Sequence, residues 1–133
     1  MSGLQTSFAL EDDSAPHTAA ARADIPENVT SKAALLATLA AQLRLPDYFG
    51  NTWDAFEECI RDLSWLPHGP VFVAHADVPL ISDVSNAMTY VAILNDAVCK
   101  MSRSADHPLS VAFPPQYRDQ VMWLLRADHA RRT

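Results

Sequence analysis

One stretch of the chain, LPDYFGNTWDAFEECIRDL at residues 45–63, decides how the fold is assembled. After Leu45 and Pro46 comes an aromatic loop, Asp47-Tyr48-Phe49-Gly50. A helix is predicted to follow from Thr52 to about Leu63, with Asn51 as its N-cap. Apolar residues recur at helical spacing along this helix and predict a side that faces the core: Trp53, Phe56, Ile60 and Leu63. Cys59 is predicted to pack inward beside them.

The other side of this helix is acidic. Five carboxylates lie between positions 47 and 62 against one arginine, a local net charge of −4: Asp47, Asp54, Glu57, Glu58 and Asp62. Residues four apart on a helix are neighbours, so Asp54–Glu58 and Glu58–Asp62 are repulsive pairs that each cost about 0.2–0.5 kcal/mol. The Glu57–Arg61 pair recovers about as much as one of them loses. The stripe therefore does not stabilise the helix.

A solvated helix face is the ordinary explanation of such a stripe. Two features favour a binding surface instead. The charges are concentrated on one side of the helix, and the loop before it places Tyr48 and Phe49 beside the helix start. Aromatic anchors next to charged residues are typical of protein interfaces.

The whole chain has the size and composition of one globular domain: 133 residues, of which 49% are hydrophobic and 20% charged. Its net charge is −6 and its pI about 5.1. Nucleic-acid-binding domains normally carry basic patches and a high pI, so direct binding of DNA or RNA is disfavoured. A basic partner is the natural counterpart of this charge.

Two cysteines, Cys59 and Cys99, lie in apolar helical contexts and are predicted to be buried thiols in a reducing compartment. They could form a disulfide only if the helices that carry them touched. The N-terminus shows no signal-peptide pattern, and the apolar runs are too short to span a membrane. These features predict a cytoplasmic protein that does not interact with membranes.

The remaining elements follow from periodicity and from breaking residues. Residues 1–17 are predicted to form a flexible arm, and 18–133 a single α/β domain. Thr30 is predicted to cap the first helix, which Pro46 stops. The predicted strands are 18–25, 71–76 and 109–113, and the predicted helices are 31–43, 52–63, 85–101 and 116–127. Strands joined by helical crossovers predict a small, mainly parallel three-stranded sheet with helices packed against it and a further C-terminal helix.

The motif in the quoted stretch resembles the barstar family of ribonuclease inhibitors. The likeness rests on Leu45-Pro46-Asp47-Tyr48-Phe49-Gly50-Asn51, followed by Trp53-Asp54-Ala55 and Cys59. It is dense over about 20 residues, and the element order is similar from about residue 18 to 113. The first 17 and last 20 residues are extensions.

The resemblance implies a compact α/β inhibitor that covers a ribonuclease active site with this helix and loop, its acidic groups standing in for RNA phosphates. Tyr48 would contact the nuclease, Asp54 would be the first acidic contact, and Glu58 would occupy the position of the principal aspartate. Asp96, on a later helix, would be a further acidic contact. The whole predicted surface comprises Tyr48, Phe49, Asn51, Asp54, Glu57, Glu58, Asp62 and Asp96.

Two departures from the family pattern indicate a different cognate nuclease. Glu58 is one methylene longer than the aspartate it replaces, and Glu57 stands where the prototype has a tryptophan. One alternative is therefore an immunity or interaction protein that neutralises another basic toxin through the same surface. Another is an enzyme that uses Asp54 and Glu58 as an acid–base pair. The predicted protein is a non-enzymatic inhibitor that is monomeric before complex formation.

No cofactor or metal is predicted. His68 and His75 flank a strand start without a partner set of cysteines or carboxylates, which disfavours a metal site. The three tryptophans, Trp53, Trp65 and Trp123, lie on apolar faces and are predicted to be core residues.

Overall fold

A computed structural model of the protein describes residues 21–46, 52–101, 103 and 106–132. In chain order its elements are β1 (Ala21–Ile25), α1 (Lys32–Leu43), α2 (Trp53–Ile60), β2 (Val71–His75), α3 (Val84–Met101), β3 (Leu109–Ala112), a 3₁₀ turn (Pro115–Tyr117) and α4 (Arg118–Arg132). The predicted arm, residues 1–17, and the start of the first predicted strand lie outside the described residues.

The sheet is three-stranded and wholly parallel, in the order β1-β2-β3. This architecture, with helices packed against the sheet and α4 after it, confirms the predicted fold class. Crossovers between parallel strands are right-handed, and here strand order follows chain order, so both crossovers place their helices on the same face of the sheet. The alternating burial of β1 agrees, because Ala21, Ala23 and Ile25 are buried whereas Arg22 and Asp24 are exposed.

The helix-covered face of the sheet is built from rows of small and branched side chains. Ala23, Val73 and Val111 are in register across the three strands, and all are fully buried. Against them pack the leucine face of α1, the apolar side of α2 and most of α3. The core is one cluster that extends from β1 to α4. None of the helices within the described ranges is long and apolar enough to cross a membrane.

The outer edge of β1 is closed by a side chain of α1. The Asp24 backbone N–H donates to Gln42 Oε1 at 2.6 Å, and Gln42 Nε2 donates back to the Asp24 carbonyl at 2.8 Å. A sheet edge otherwise presents unpaired backbone groups to other chains. Gln42 thus satisfies one residue of this edge and fixes α1 to the sheet.

The long helix α3 is the centre of the helical layer, since it contacts α2, α4 and β3. Val121, Leu124 and Leu125 of α4 are buried in the core cluster. A polar bridge holds the end of α4: Arg131 donates to the buried Asp128 and, at 2.9 Å, to Thr89 Oγ1 of α3. The C-terminal helix is therefore an integral part of the core.

Helix boundaries correct several predictions. Ser31, not Thr30, caps α1, because its Oγ accepts from the Ala34 N–H. Thr52, not Asn51, caps α2 in the same way, accepting from the Ala55 N–H. The predicted end of α2 at Leu63 is also wrong. The helix ends at Ile60, and Leu63 has a left-handed backbone (φ 58°) that a helix cannot contain.

Two predicted core residues are exposed. Trp123 is 51% exposed on α4, because Val121, Leu124 and Leu125 occupy the side of that helix that meets the core. Cys99 is exposed near the end of α3, whereas Cys59 is buried as predicted, and the two thiols are not joined in a disulfide. Trp53 and Trp65 are partly buried and pack against the core.

A buried histidine connects β2 to β3 and to α3. His75, at the end of β2, hydrogen-bonds through Nδ1 to the Ala112 carbonyl at 2.9 Å and through Nε2 to the Tyr90 hydroxyl at 2.7 Å. A carbonyl only accepts, so the ring carries its proton on Nδ1 and Tyr90 donates to Nε2. Burial lowers the pKa of His75 from 6.5 to about 4, against the opposing effect of the Ala112 bond.

We therefore expect acid to destabilise the protein through His75. Between pH 6.5 and about 4 the unfolded chain binds a proton at this position and the folded protein does not, so the free energy of unfolding falls by about 3 kcal/mol over this window. Urea unfolding at pH 7 and pH 4 measures the loss. A His75→Gln variant should lose less over the same interval, and an exposed-site control, His129→Gln, should lose as much as the wild type. An undiminished loss in His75→Gln would contradict this assignment.

Candidate functional site

The predicted binding helix, α2, is short and starts at a well-formed cap. Thr52 has an extended backbone, its Oγ1 accepts from the Ala55 N–H at 3.1 Å, and its carbonyl accepts from the Phe56 N–H at 2.9 Å. Asp54 lies in the first turn, where a negative charge is stabilised by the helix dipole. The cap thus fixes where the helix begins and which residue presents the first carboxylate.

The inner side of α2 holds it to the rest of the molecule. Phe56 and Ile60 are fully buried and Cys59 is 3% exposed. The Phe56 ring lies 6.1 Å from the ring of Tyr90 on α3 and 6.2 Å from that of Trp53, which it meets edge-on. Aromatic pairs at these separations add about 0.5–1.5 kcal/mol beyond the area they bury. The apolar face predicted from the spacing is the face that packs on α3.

The outer side of α2 presents its acidic residues to solvent. Asp54 and Glu58, one turn apart, are both exposed. Glu57 is half-buried and lies 3.5 Å from Arg61, with both side chains more than a third exposed. An exposed ion pair of this kind contributes about 0–1 kcal/mol, so a partner can replace it at small cost. The structure therefore displays three carboxylates along the same short helix.

Asp62 is not on the helix, because α2 ends two residues earlier. Its backbone N–H bonds to the Cys59 carbonyl at 3.0 Å, and its carboxylate accepts from the Ser64 hydroxyl at 3.1 Å. The pKa of the Cys59 thiol is raised, first by burial and then by the negative charges of Glu58 and Asp62. Both carboxylates thus act on the same buried thiol, so the turn keeps Asp62 near Glu58. The term acidic patch denotes four residues: Asp54, Glu57, Glu58 and Asp62.

The start of α2 is joined to α3 by a hydrogen bond that the sequence did not reveal. Trp53 Nε1 donates to Asn86 Oδ1 at 2.8 Å, and Asn86 Nδ2 donates to Asp83 Oδ2 at 2.8 Å. On another side of the indole, the ammonium group of Lys32 lies 5.5 Å from the ring centroid. A 33-residue separation between Trp53 and Asn86 leaves no periodic signal by which to predict such a contact.

In a comparison with protein-family models, residues 20–114 match the model of the family described as barstar (barnase inhibitor). The chain belongs to the barstar family. The match covers both crossovers, all three strands and the acidic helix, while α4 lies beyond it. Curated proteins gave no match to this chain. The family resemblance predicted from the motif is confirmed.

The part of the chain that the structure describes does not place the other four predicted site residues of this barstar-family protein in the acidic patch. Tyr48, Phe49 and Asn51 lie outside the described residues, and their contacts stay predictions. Asp96 is exposed on α3. By helical spacing, Asp96 lies on the same side of α3 as Ser85 and Thr89, which Arg131 of α4 contacts. Tyr90, whose ring contacts Phe56 of α2, lies on a different side of α3. The structure brings together Asp54, Glu57, Glu58 and Asp62, and a binding role for Asp96 stays a prediction.

The cleft found among the described residues does not include the acidic patch. A cleft of about 500 Å³ opens at the carboxyl ends of the strands, around Arg22, Phe72, His75 and Phe113, and no residue of α2 lines it. Two of its lining residues contact each other, since the guanidinium carbon of Arg22 lies 5.2 Å from the Phe72 ring centroid. The exposed position of Asp54 and Glu58 favours contact with a large partner over acid–base catalysis in a pocket.

The two histidines considered as metal ligands are not brought together. His68 lies before β2, with Nδ1 4.0 Å from a carboxylate oxygen of Asp106, whereas His75 ends that strand and is bonded inside the core. Across residues 21–46, 52–101, 103 and 106–132, no three His, Cys, Asp or Glu side chains are grouped so that they could hold a metal ion.

Proposed function

We propose that this protein inhibits a basic ribonuclease by covering its active site with the acidic outer side of α2. Membership of the barstar family, described as barnase inhibitors, supports a ribonuclease as the protein partner. The observation that carries the proposal is the division of α2: Phe56 and Ile60 are fully buried, while Asp54 and Glu58, on the same eight-residue helix, are exposed. On this proposal the protein is an inhibitor and not an enzyme.

The physical basis is electrostatic complementarity. A ribonuclease active site binds phosphates with basic side chains, and a rigid row of carboxylates offers the same charge at similar positions. Complementary charges accelerate encounter and disfavour wrong partners, an effect for which barnase and barstar are themselves the usual example. The α2 carboxylates already repel one another in the free protein. A basic partner relieves this repulsion when it binds.

The identity of the partner depends on two α2 residues. Glu58 reaches one methylene further than aspartate, and Glu57 holds Arg61 at 3.5 Å in the free protein. A cognate nuclease would have to accommodate the longer Glu58 and either displace Arg61 or accept it at the interface rim. This observation also favours the second candidate, an immunity protein that neutralises a different basic toxin through the same patch.

A titration of ribonuclease activity tests the proposal. Barnase, and any basic ribonuclease encoded beside this protein, would be assayed with increasing amounts of the full chain. We expect at least one of these enzymes to be inhibited to completion at a 1:1 ratio. We also expect the association rate constant to fall as ionic strength rises, because salt screens charges on the surface.

The result that would refute the proposal is full ribonuclease activity at saturating protein, with no complex seen by calorimetry. Inhibition that does not depend on salt would contradict the role of the carboxylates while leaving inhibition itself intact. A complex with a basic toxin that is not a ribonuclease would support the second candidate.

We further propose that the protein is located in the cytoplasm and is a monomer before it binds its partner. Size-exclusion chromatography with light scattering would test the monomeric state by giving the molar mass of the free protein.

A further inference from the structure

We propose that Trp53 is a positioning residue of the binding surface: it fixes the first turn of α2, and with it Asp54, between α1 and α3. The use of this turn in binding rests on the proposed function, whereas the positioning itself concerns the free protein. Trp53 directly precedes Asp54 in the chain, is half-buried and packs against the core. Any rotation at Trp53 therefore moves the first carboxylate of the patch.

A relay of two hydrogen bonds holds the indole. Asp83 lies immediately before α3 and accepts from the Asn86 side-chain amide at 2.8 Å. This bond occupies the NH₂ group of Asn86 and leaves its Oδ1 oriented toward Trp53, whose Nε1 donates at 2.8 Å. Indole N–H is only a donor, so the relay has one consistent direction. Both bonds start from the N-terminal end of α3, which Arg131 of α4 also contacts.

The indole ring is fixed on its other sides as well. Lys32, the first residue of α1, lies 5.5 Å from the ring centroid, within the range of a cation–π interaction. The Tyr90 ring is 6.1 Å away, and its hydroxyl is bonded to His75 of β2. Trp53 thus contacts α1 and α3 directly and reaches the sheet through one further residue.

Such anchoring matters because α2 is only eight residues long. Helices of fewer than about 12 residues are unstable alone, so the side chains at their ends determine their orientation. Phe56 and Ile60 anchor the middle and the end of α2, and Trp53 is the large side chain at its start. A displacement of about 1 Å in a binding group is enough to impair recognition.

The chain supplies a matched control in Trp65. This tryptophan also lies half-buried against the core, and its Nε1 donates at 3.0 Å to a group on another element, the Leu43 carbonyl of α1. It follows α2 and has no part in the described contacts of Asp54 or Trp53. A Trp65→Phe variant therefore loses the same kind of bond without releasing the first turn.

Amide hydrogen exchange tests the inference in the free, full-length protein. In Trp53→Phe and in Asn86→Ala we expect the Ala55 and Phe56 amides, which bond to Thr52, to exchange about tenfold faster, as for the loss of one hydrogen bond. The exchange rate of the Arg61 amide, at the other end of α2, should change less than twofold. In Trp65→Phe the exchange rates of all three amides should stay within twofold of the wild-type rates. The double variant should match the single variants, because both remove the same bond.

Dissociation from the inhibited ribonuclease is the second measurement. We expect Trp53→Phe and Asn86→Ala to raise the dissociation rate constant about fivefold to tenfold, and Trp65→Phe to leave it unchanged. Equal exchange in Trp53→Phe and Trp65→Phe would overturn the inference, as would faster exchange without faster dissociation. A wild-type protein that inhibits no ribonuclease would refute the proposed function instead, and the exchange ratio would still decide whether Trp53 positions the helix.

Discussion

Replacing Glu58 or Asp54 with alanine is expected to weaken ribonuclease binding at least about 30-fold, the range of an interface hot spot. Each variant removes an exposed carboxylate that the partner's basic groups would desolvate on binding. Glu58→Ala should leave the free energy of unfolding unchanged or raise it slightly, whereas Asp54→Ala also loses the favourable interaction of its carboxylate with the helix dipole and should change it by less than about 1 kcal/mol. Glu58→Ala in particular removes a repulsion of about 0.2–0.5 kcal/mol with its neighbour one turn away.

Calorimetry of the complex and urea unfolding of the free variants give the two quantities. Asp119→Ala is the matched control, because Asp119 is the acidic residue in the first turn of α4, as Asp54 is in α2, and is likewise exposed. It changes the net charge by the same amount, far from the patch in sequence. Equal losses in Asp119→Ala and Asp54→Ala would mean that total charge, and not the α2 patch, determines affinity.

Replacing Phe56 with alanine is expected to lower the free energy of unfolding by about 3–5 kcal/mol. The ring is fully buried between Trp53 and Tyr90, so its removal leaves a cavity at the junction of α2 and α3. Denaturant unfolding followed by far-UV circular dichroism measures the loss. Binding should weaken too, since a loosened α2 no longer presents its carboxylates in one orientation.

Trp123→Ala provides the contrast for Phe56→Ala. Trp123 is larger than phenylalanine but 51% exposed, so its removal should cost much less than the loss of a buried ring. A loss of 3 kcal/mol or more in Trp123→Ala, or of less than 1 kcal/mol in Phe56→Ala, would contradict the described packing of these two helices.

The parts of the fold that the sequence predicted are those that depend on local periodicity. The spacing of Trp53, Phe56 and Ile60 predicted the buried side of α2, and therefore also the exposed side that carries Asp54 and Glu58. The alternation of strands and helices predicted the parallel sheet. The family motif around residue 50 gave these elements a function, which the family match supports at the level of a barnase-type inhibitor.

The missed features depend on contacts between distant residues. Whether Trp123 is buried depends on which side of α4 meets α3, and apolar residues on two sides of that helix left the choice open. The end of α2 depends on Leu63, whose burial in the core accompanies a left-handed backbone that leucine rarely adopts. The bond from Trp53 to Asn86 joins two helices whose approach no local pattern specifies.

The central claim, that the acidic side of α2 is the surface that binds a basic ribonuclease, is tested most directly by a nuclear magnetic resonance footprint of the complex. The isotopically labelled protein would be titrated with the ribonuclease that it inhibits, inactivated at its catalytic residue. We predict that the largest amide shifts fall on residues 52–62, with smaller ones where α2 meets α3. Shifts confined to α4 or to the strands, with residues 52–62 unchanged, would contradict the claim.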